Sequence, residues 1–185
     1  MKTDYNSIIE KVLIDEESLK KRIKQLAAKI NEHYENEDSI LLVGILRGSI
    51  FFLTELAKQL KIDCKIDFMD VSSYGDETYS SGNVRILKDL DTDVSGVDVL
   101  IVEDIIDTGN TLEYLAETLK HRGARTIKIV TLLDKPERRE KVIKADWYGF
   151  KIPDEYVIGF GMDYQQLYRN LPYIAVLKRE VYSNE

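Results

Sequence analysis

Hydrophobic positions along the chain follow two different periods. Residues 18–34 place Leu19, Ile23, Leu26, Ala27, Ile30 and Tyr34 three or four positions apart, with lysines and glutamates between them. That spacing predicts an amphipathic helix with one apolar face. SILLVGIL (39–46) is instead a short unbroken apolar run, which predicts a strand buried on both sides. GSIFFLTELAKQLK (48–61) returns to helical character, and CKIDFMDVSSY (64–74) alternates as a strand does. VDVLIVED (97–104), TLEYLAETLKHR (111–122) and TIKIVTLLD (126–134) repeat the order strand, helix, strand, with Gly123 placed to stop the helix. Between these groups GDETYSSGN (75–83) is polar and reads as an exposed loop, and short strands are predicted around DWYGFKI, YVIGF and YIAVLK.

Strand and helix alternate through the first two-thirds of the chain, which predicts an α/β fold: a mainly parallel twisted sheet with helices on both faces. The segment from about 147 to 185, with the N-terminal segment, is expected to form a small lobe on the same single domain, 1–185. Trp147 is expected to pack in that lobe, and His33 and His121 are read as structural.

Composition narrows the function more than the fold. A net charge of −7 argues against general nucleic-acid binding and confines any anion-binding groups to a local pocket. No apolar run approaches the roughly 20 residues of a membrane span, and MKTDYNSIIEKVLIDEE lacks the apolar stretch of a signal peptide. The expectation is a cytoplasmic protein with no membrane partner. Cys64 is the one cysteine, so no intrachain disulfide is available, and a structural zinc site is not expected.

In parallel α/β sheets, ligands bind outside the carboxyl ends of the strands. Three such ends are unusual here: LRGS (46–49), EDIIDTGNT (103–111) and DKPERR (134–139). Glu103, Asp104 and Asp107 fall within five residues of one another, although carboxylates at the end of an apolar strand repel and gain nothing from packing. Adjacent on a strand, Glu103 and Asp104 point to different sides, where they suit neighbouring hydroxyls and a hard cation such as Mg²⁺. Asp107-Thr108-Gly109-Asn110-Thr111 offers hydroxyls, a permissive glycine and backbone N–H groups at a helix start, which together make an anion cradle. Asn110 and Glu113 also have capping-box spacing. A helix cap alone accounts for DTGNT equally well. It does not account for the acidic pair before it.

VLIVEDIIDTGNTL (99–112) resembles the phosphoribosyl pyrophosphate (PRPP) motif of type I phosphoribosyltransferases. LVGILRGS, DFMDVSSYG, RILKDLD, LLDKPERR and IPDEYVIGFGMDYQQLYRNLPYIAVLK extend the resemblance, in order, to the bacterial hypoxanthine phosphoribosyltransferases. The resemblance implies transfer of a phosphoribosyl group from PRPP to hypoxanthine, and to guanine, giving IMP or GMP and pyrophosphate in purine salvage. It implies that Glu103 and Asp104 contact the ribose hydroxyls and Mg²⁺, and that Asp107 to Thr111 hold the 5′-phosphate. Asp107 would also be the catalytic proton acceptor at purine N7. Arg47, Gly48 and Arg169 would face pyrophosphate, with a non-proline cis peptide at Leu46–Arg47. Lys135 would donate to the 6-oxo group, Tyr156 would stack on the base, and Val157 would offer backbone contacts. Asp163 would reach a second Mg²⁺. Ser73 and Tyr74 would belong to a lid that closes over the site, and a homodimer or homotetramer is expected. The chain departs from some relatives at Asn110, where they carry lysine, and at Tyr156, where phenylalanine is common.

Three alternatives differ in class. A dinucleotide-dependent dehydrogenase is excluded because no G-x-G-x-x-G follows a strand. A PRPP-sensing regulator of the same fold would need a basic face or an added nucleic-acid domain, which this sequence does not offer. A xanthine- or guanine-preferring transferase differs only in base specificity.

Overall fold

The computed structural model describes residues 5–73 and 84–183. In chain order the elements are α1 (Tyr5–Ile8), β1 (Ile9–Ile14), α2 (Glu16–His33), β2 (Ser39–Leu46), α3 (Ile50–Ala57), β3 (Asp63–Ser73) and β4 (Val84–Lys88). They continue with β5 (Asp98–Ile106), α4 (Asn110–His121), β6 (Thr126–Asp134), β7 (Trp147–Lys151), β8 (Val157–Ile158), β9 (Ile174–Leu177) and α5 (Arg179–Tyr182).

Six strands form one sheet in the order β4-β3-β2-β5-β6-β7. All neighbours in it are parallel except the edge pair β3–β4. The apolar runs read as buried strands, β2 and β5, lie at its centre. Alternate residues of β2 serve opposite faces: Ile40 and Leu42 pack with Phe52, Leu53 and Leu56 of α3 and the apolar stripe of α2. Leu41, Val43 and Ile45 pack with Leu112, Leu115 and Leu119 of α4. Helices therefore cover both faces, as the alternation predicts. Asp15 caps α2, its carboxylate accepting from the Ser18 N–H at 2.7 Å.

The expected helix over 48–61 is shortened at both ends. Gly48 stays in a turn, Ser49 Oγ donates back to the Ile45 carbonyl at 2.6 Å, and Gln59 and Leu60 follow in i→i−3 turns. Strands β1 and β4 carry too many charged positions to show a clear alternation, and both emerge only from their pairing. The second sheet, β1-β9-β8, is antiparallel. Strand β7 joins the large sheet beside β6. Trp147 therefore does not pack in the lobe. Its ring meets His33 at 5.2 Å and Tyr34 at 6.5 Å, against the end of α2. No helix among the described residues is long and apolar enough to cross a membrane.

The start of β5 is fixed by an ion pair between a buried Asp98 and a half-exposed Arg125. Asp98 accepts from Arg125 Nε at 2.9 Å and from Thr126 Oγ1 at 2.7 Å, and Arg125 also reaches Glu37. The Arg125 guanidinium holds the Asp98 carboxyl below its ordinary range. A depressed carboxyl adds stability above its unfolded pKa, about 3.9, and that contribution is lost as pH falls through the folded value. An Asp98→Asn variant is expected to lose about 1.5–3 kcal/mol at neutral pH. In urea melts run from pH 7 down to 3, the gap between variant and wild type should shrink only below about pH 4.

Candidate active site

Glu103 and Asp104 sit on the last turns of β5, each only 9% exposed. As neighbours on a strand they face opposite ways, so each enters a different cavity. Glu103 lines one of about 240 Å³ together with Leu46, Asp107, Thr108, Gly109 and Thr111. Asp104 lines a second of about 220 Å³ with Asp107, Lys135, Tyr156, Val157 and Asp163. Asp107 borders both.

Burial, reinforced by the Asp104 charge, pushes the Glu103 carboxyl well above its usual range, and burial also raises Asp104. Asp104 Oδ1 accepts from the Ile105 N–H at 2.9 Å. Glu103 Oε2 is buried without a hydrogen-bond partner among the described residues. An orphaned buried carboxylate oxygen beside a second carboxylate is a donor set that fits Mg²⁺, which takes one or two carboxylates and keeps several waters. No three His, Cys, Asp or Glu side chains converge as a metal cluster among the described residues. Asp163, which lines the same cavity as Asp104, takes Arg169 Nη2 at 2.8 Å and accepts from the Gln166 N–H at 2.8 Å.

The turn after β2 presses against this pair. The Leu46–Arg47 peptide is cis. A Cβ added to Gly48 would fall 1.7 Å from Asp104 Oδ2, and one added to Gly161 would fall 1.9 Å from the Gly48 carbonyl oxygen. Gly161 also has φ +107°, open to glycine alone at low cost. The Gly161 segment thus packs on the Gly48 turn, which itself packs on the Asp104 carboxylate. Arg47 Nη1 donates to Gln166 Oε1 at 3.1 Å, and Arg169 Nη2 reaches the same oxygen at 2.9 Å while its Nη1 holds the Gly161 carbonyl at 2.7 Å. The two arginines singled out in the sequence therefore meet on Gln166, a residue with no sequence signal of its own.

The DTGNT segment is held from outside. Gly109, at φ +89°, is the N-cap of α4 and makes no side-chain cap. The capping box expected from Asn110 and Glu113 does not form. Asn110 Nδ2 donates to Glu140 at 3.0 Å, and Glu113 pairs with Lys141 at 2.7 Å. Both partners come from the segment after β6, whose N–H groups of Glu140 and Lys141 also donate to the Thr108 carbonyl at 2.9 and 3.2 Å. Within the loop, Thr108 Oγ1 accepts from the Asn110 N–H at 3.3 Å. Arg139 completes the clamp: Nε donates to the Asp107 carbonyl at 3.0 Å, Nη1 to the Ile143 carbonyl at 2.8 Å, and the remaining nitrogen to Asp134.

On the other side of Asp107, Lys135 leaves the end of β6 with its N–H on the Ile106 carbonyl at 3.0 Å. Tyr156 is 38% exposed. Its ring stacks on Tyr182 at 5.0 Å and meets the edge of Tyr164 at 5.8 Å. Its hydroxyl donates to the Asp163 carbonyl at 3.4 Å, which supplies the partner that a tyrosine needs in this position. Of the two residues expected to belong to a lid, Ser73 ends β3 opposite Val84, whereas Tyr74 and the 75–83 loop lie outside the described residues.

A family model for the phosphoribosyl transferase domain matches residues 13–165. The chain belongs to the phosphoribosyltransferase family. It is 53% identical over 176 residues to a hypoxanthine-guanine phosphoribosyltransferase of Bacillus subtilis (strain 168), covering 95% of this chain and 97% of that one. A second such relative, from Lactococcus lactis subsp. lactis (strain IL1403), is 54% identical over 183 residues, 99% of each chain. The crystal structure of a hypoxanthine phosphoribosyltransferase from Staphylococcus aureus superposes with a TM-score of 0.94 at 47% identity, over 100% of both chains. The fold of this phosphoribosyltransferase is the type I fold that its PRPP-like motif implies.

Sequence reading missed the residues that hold this phosphoribosyltransferase's loops in place: Arg138, Arg139, Glu140, Asp154 and Gln166. The run of charges in DKPERRE was the available signal for Arg138, Arg139 and Glu140; Asp154 and Gln166 lie outside it. Two outcomes are expected. Gly48→Ala should push the Asp104 carboxylate aside and cost on the order of 100-fold in turnover, measured by steady-state kinetics. Glu103→Gln should lose activity yet raise stability at pH 7 by about 1–2 kcal/mol in urea melts, because it removes a buried charge.

Proposed function

We propose that this phosphoribosyltransferase is a purine salvage enzyme that moves the 5-phosphoribosyl group of PRPP to N9 of hypoxanthine, and of guanine, giving IMP or GMP and pyrophosphate. The observation that carries this reading is the meeting of two cavities at one strand end. One joins Glu103 to the Asp107–Thr111 cradle, and the other joins Asp104 to Lys135, Tyr156 and Val157, with Asp107 between them. A sugar phosphate and a flat base with a 6-oxo group are the ligands such a pair suits. The names of the relatives support the same activity.

In this reading the cradle N–H groups and the hydroxyls of Thr108 and Thr111 bind the 5′-phosphate, and Glu103 and Asp104 orient the ribose diol. Backbone groups of Arg47 and Gly48, with Arg169, receive pyrophosphate. The C1′–O bond breaks with its electron pair leaving on pyrophosphate, and the C1′–N9 bond forms as Asp107 takes the purine proton. Lys135 selects a 6-oxo acceptor over the 6-amino donor of adenine, since two facing donors leave both unsatisfied. Closure of the lid carrying Ser73 and Tyr74 excludes water from the ribosyl centre. Glu103 and Asp104 would hold Mg²⁺, with Asp163 at a second position, and the ion would supply charge neutralisation at the leaving pyrophosphate. Positioning and charge stabilisation provide most of the catalysis.

The same reading makes residues 1–185 one domain, with the small sheet as a hood, and assigns the enzyme to the cytoplasm. Ile50 and Phe51 on α3, 39% and 38% exposed, give apolar surface for a homodimer or homotetramer. The test is nucleotide formation from PRPP and Mg²⁺ with hypoxanthine, guanine, xanthine and adenine in parallel. Hypoxanthine and guanine should react quickly and adenine barely. Asp107→Asn should lose about 10²- to 10⁴-fold in kcat. A preference for xanthine would replace the specificity assigned to this site, and PRPP binding with no product from any base would leave a sensor.

A further inference from the structure

Lys135 is a buried ammonium, 9% exposed, and its one carboxylate partner among the described residues is Asp154, Nζ to Oδ1 3.3 Å. Asp154 lies in the turn between β7 and β8, two residues before Tyr156. Its other oxygen takes Arg138 Nη1 at 3.5 Å, and Arg138 Nε donates to Asp107 Oδ1 at 3.1 Å. The order Lys135, Asp154, Arg138, Asp107 therefore alternates in charge from one side of the base cavity to the other.

The two ends of that chain have complementary tasks. Lys135 faces the position of the purine 6-oxo group and Asp107 that of N7. These two atoms are neighbours on one edge of the ring, so a donor and an acceptor must be set at a matched separation to read both. Asp154 and Arg138 are half-exposed at the rim, with side-chain exposures of 46% and 49%, and neither is needed for a ring contact. Both Asp154 contacts are longer than the 2.7–2.9 Å typical of charge-assisted bonds. The carboxylate is thus shared between two cations, one oxygen bridging to Lys135 and the other to Arg138. An ammonium deprived of its counter-charge inside a pocket turns its head toward water and away from the base.

We propose that Asp154 is a positioning residue that determines base specificity, holding the Lys135 ammonium at the 6-oxo position and, through Arg138, in register with Asp107. The proposal rests on the roles assigned above to Lys135 and Asp107. It differs from a structural role for Asp154 in being selective: 6-oxo purines suffer from its loss, whereas PRPP and adenine do not.

The experiment compares wild type, Asp154→Asn, Asp154→Glu, Lys135→Gln and the double variant Lys135→Gln/Asp154→Asn. The readouts are KM for hypoxanthine, guanine and PRPP, and Ki for adenine as a competitor. Asp154→Asn should raise KM for both 6-oxo bases about tenfold while KM for PRPP and Ki for adenine stay within about twofold. Asp154→Glu should recover part of the loss. On the Lys135→Gln background Asp154→Asn should add nothing. If Lys135→Gln weakens hypoxanthine but Asp154→Asn does not, Asp154 has no positioning role and the reading of Lys135 survives. Equal weakening of all ligands by Asp154→Asn overturns the proposal in favour of a structural role. If Lys135→Gln itself leaves hypoxanthine unaffected, the 6-oxo reading fails and the proposal falls with it.

Discussion

The arrangement depends on the burial of two adjacent carboxylates at the end of a central strand. Desolvating Glu103 and Asp104 side by side is unfavourable, and no hydrophobic gain offsets it locally. The offset comes from the rest of the sheet. Residues on either side of the pair in β5, from Val99 to Val102 and at Ile106, are fully enclosed between α4 on one face and α2 with α3 on the other. The strand has no freedom to turn its acidic end outward without undoing that packing. Fold stability is in this sense the source of the site's poised electrostatics.

Around the pair, glycine and arginine perform opposite services. Gly48 and Gly161 remove atoms: the Gly48 backbone comes closer to Asp104, and the Gly161 backbone closer to the Gly48 carbonyl, than a side chain would permit. Arg139 and Arg169 add bonds, tying carbonyls of remote segments to fixed points. Arg139 links the segment after β5 to the one after β6, tying Asp107 to Ile143 and Asp134 in one hydrogen-bonded unit. The shape of the cradle loop is held largely through its carbonyls, at Asp107 and Thr108, with the Asn110 N–H on Thr108 Oγ1 as an internal bond.

How much of this was legible in the sequence follows from the range of each interaction. Apolar period is a local signal, and it located α2, β2, β5, α4 and β6 to within a few residues. The acidic pair and the cradle are contiguous in the chain, so their chemistry could be read directly as well. Strand β1 could not, since its charged positions gain their places only by pairing with β9. The capping box failed because Glu140 and Lys141, about 30 residues away, compete for Asn110 and Glu113. The charge chain through Asp154 and the contact of Gly48 with Asp104 are invisible for the same reason: each joins segments that only the sheet order brings together.

The pairing of β1 with β9 has a consequence for how the molecule is assembled. Ile9 finds Leu177, and Ile14 finds Ile174, so a strand made near the start waits for one made some 160 residues later. On a ribosome adding about 5–20 residues each second, that interval lasts roughly 10–30 seconds. The large sheet has all its strands by residue 151, well before β9 exists. The strands of the large sheet, which carries the acidic pair, are therefore all made roughly 1–5 seconds before β9 begins at the same rate, and the small sheet can close only after that.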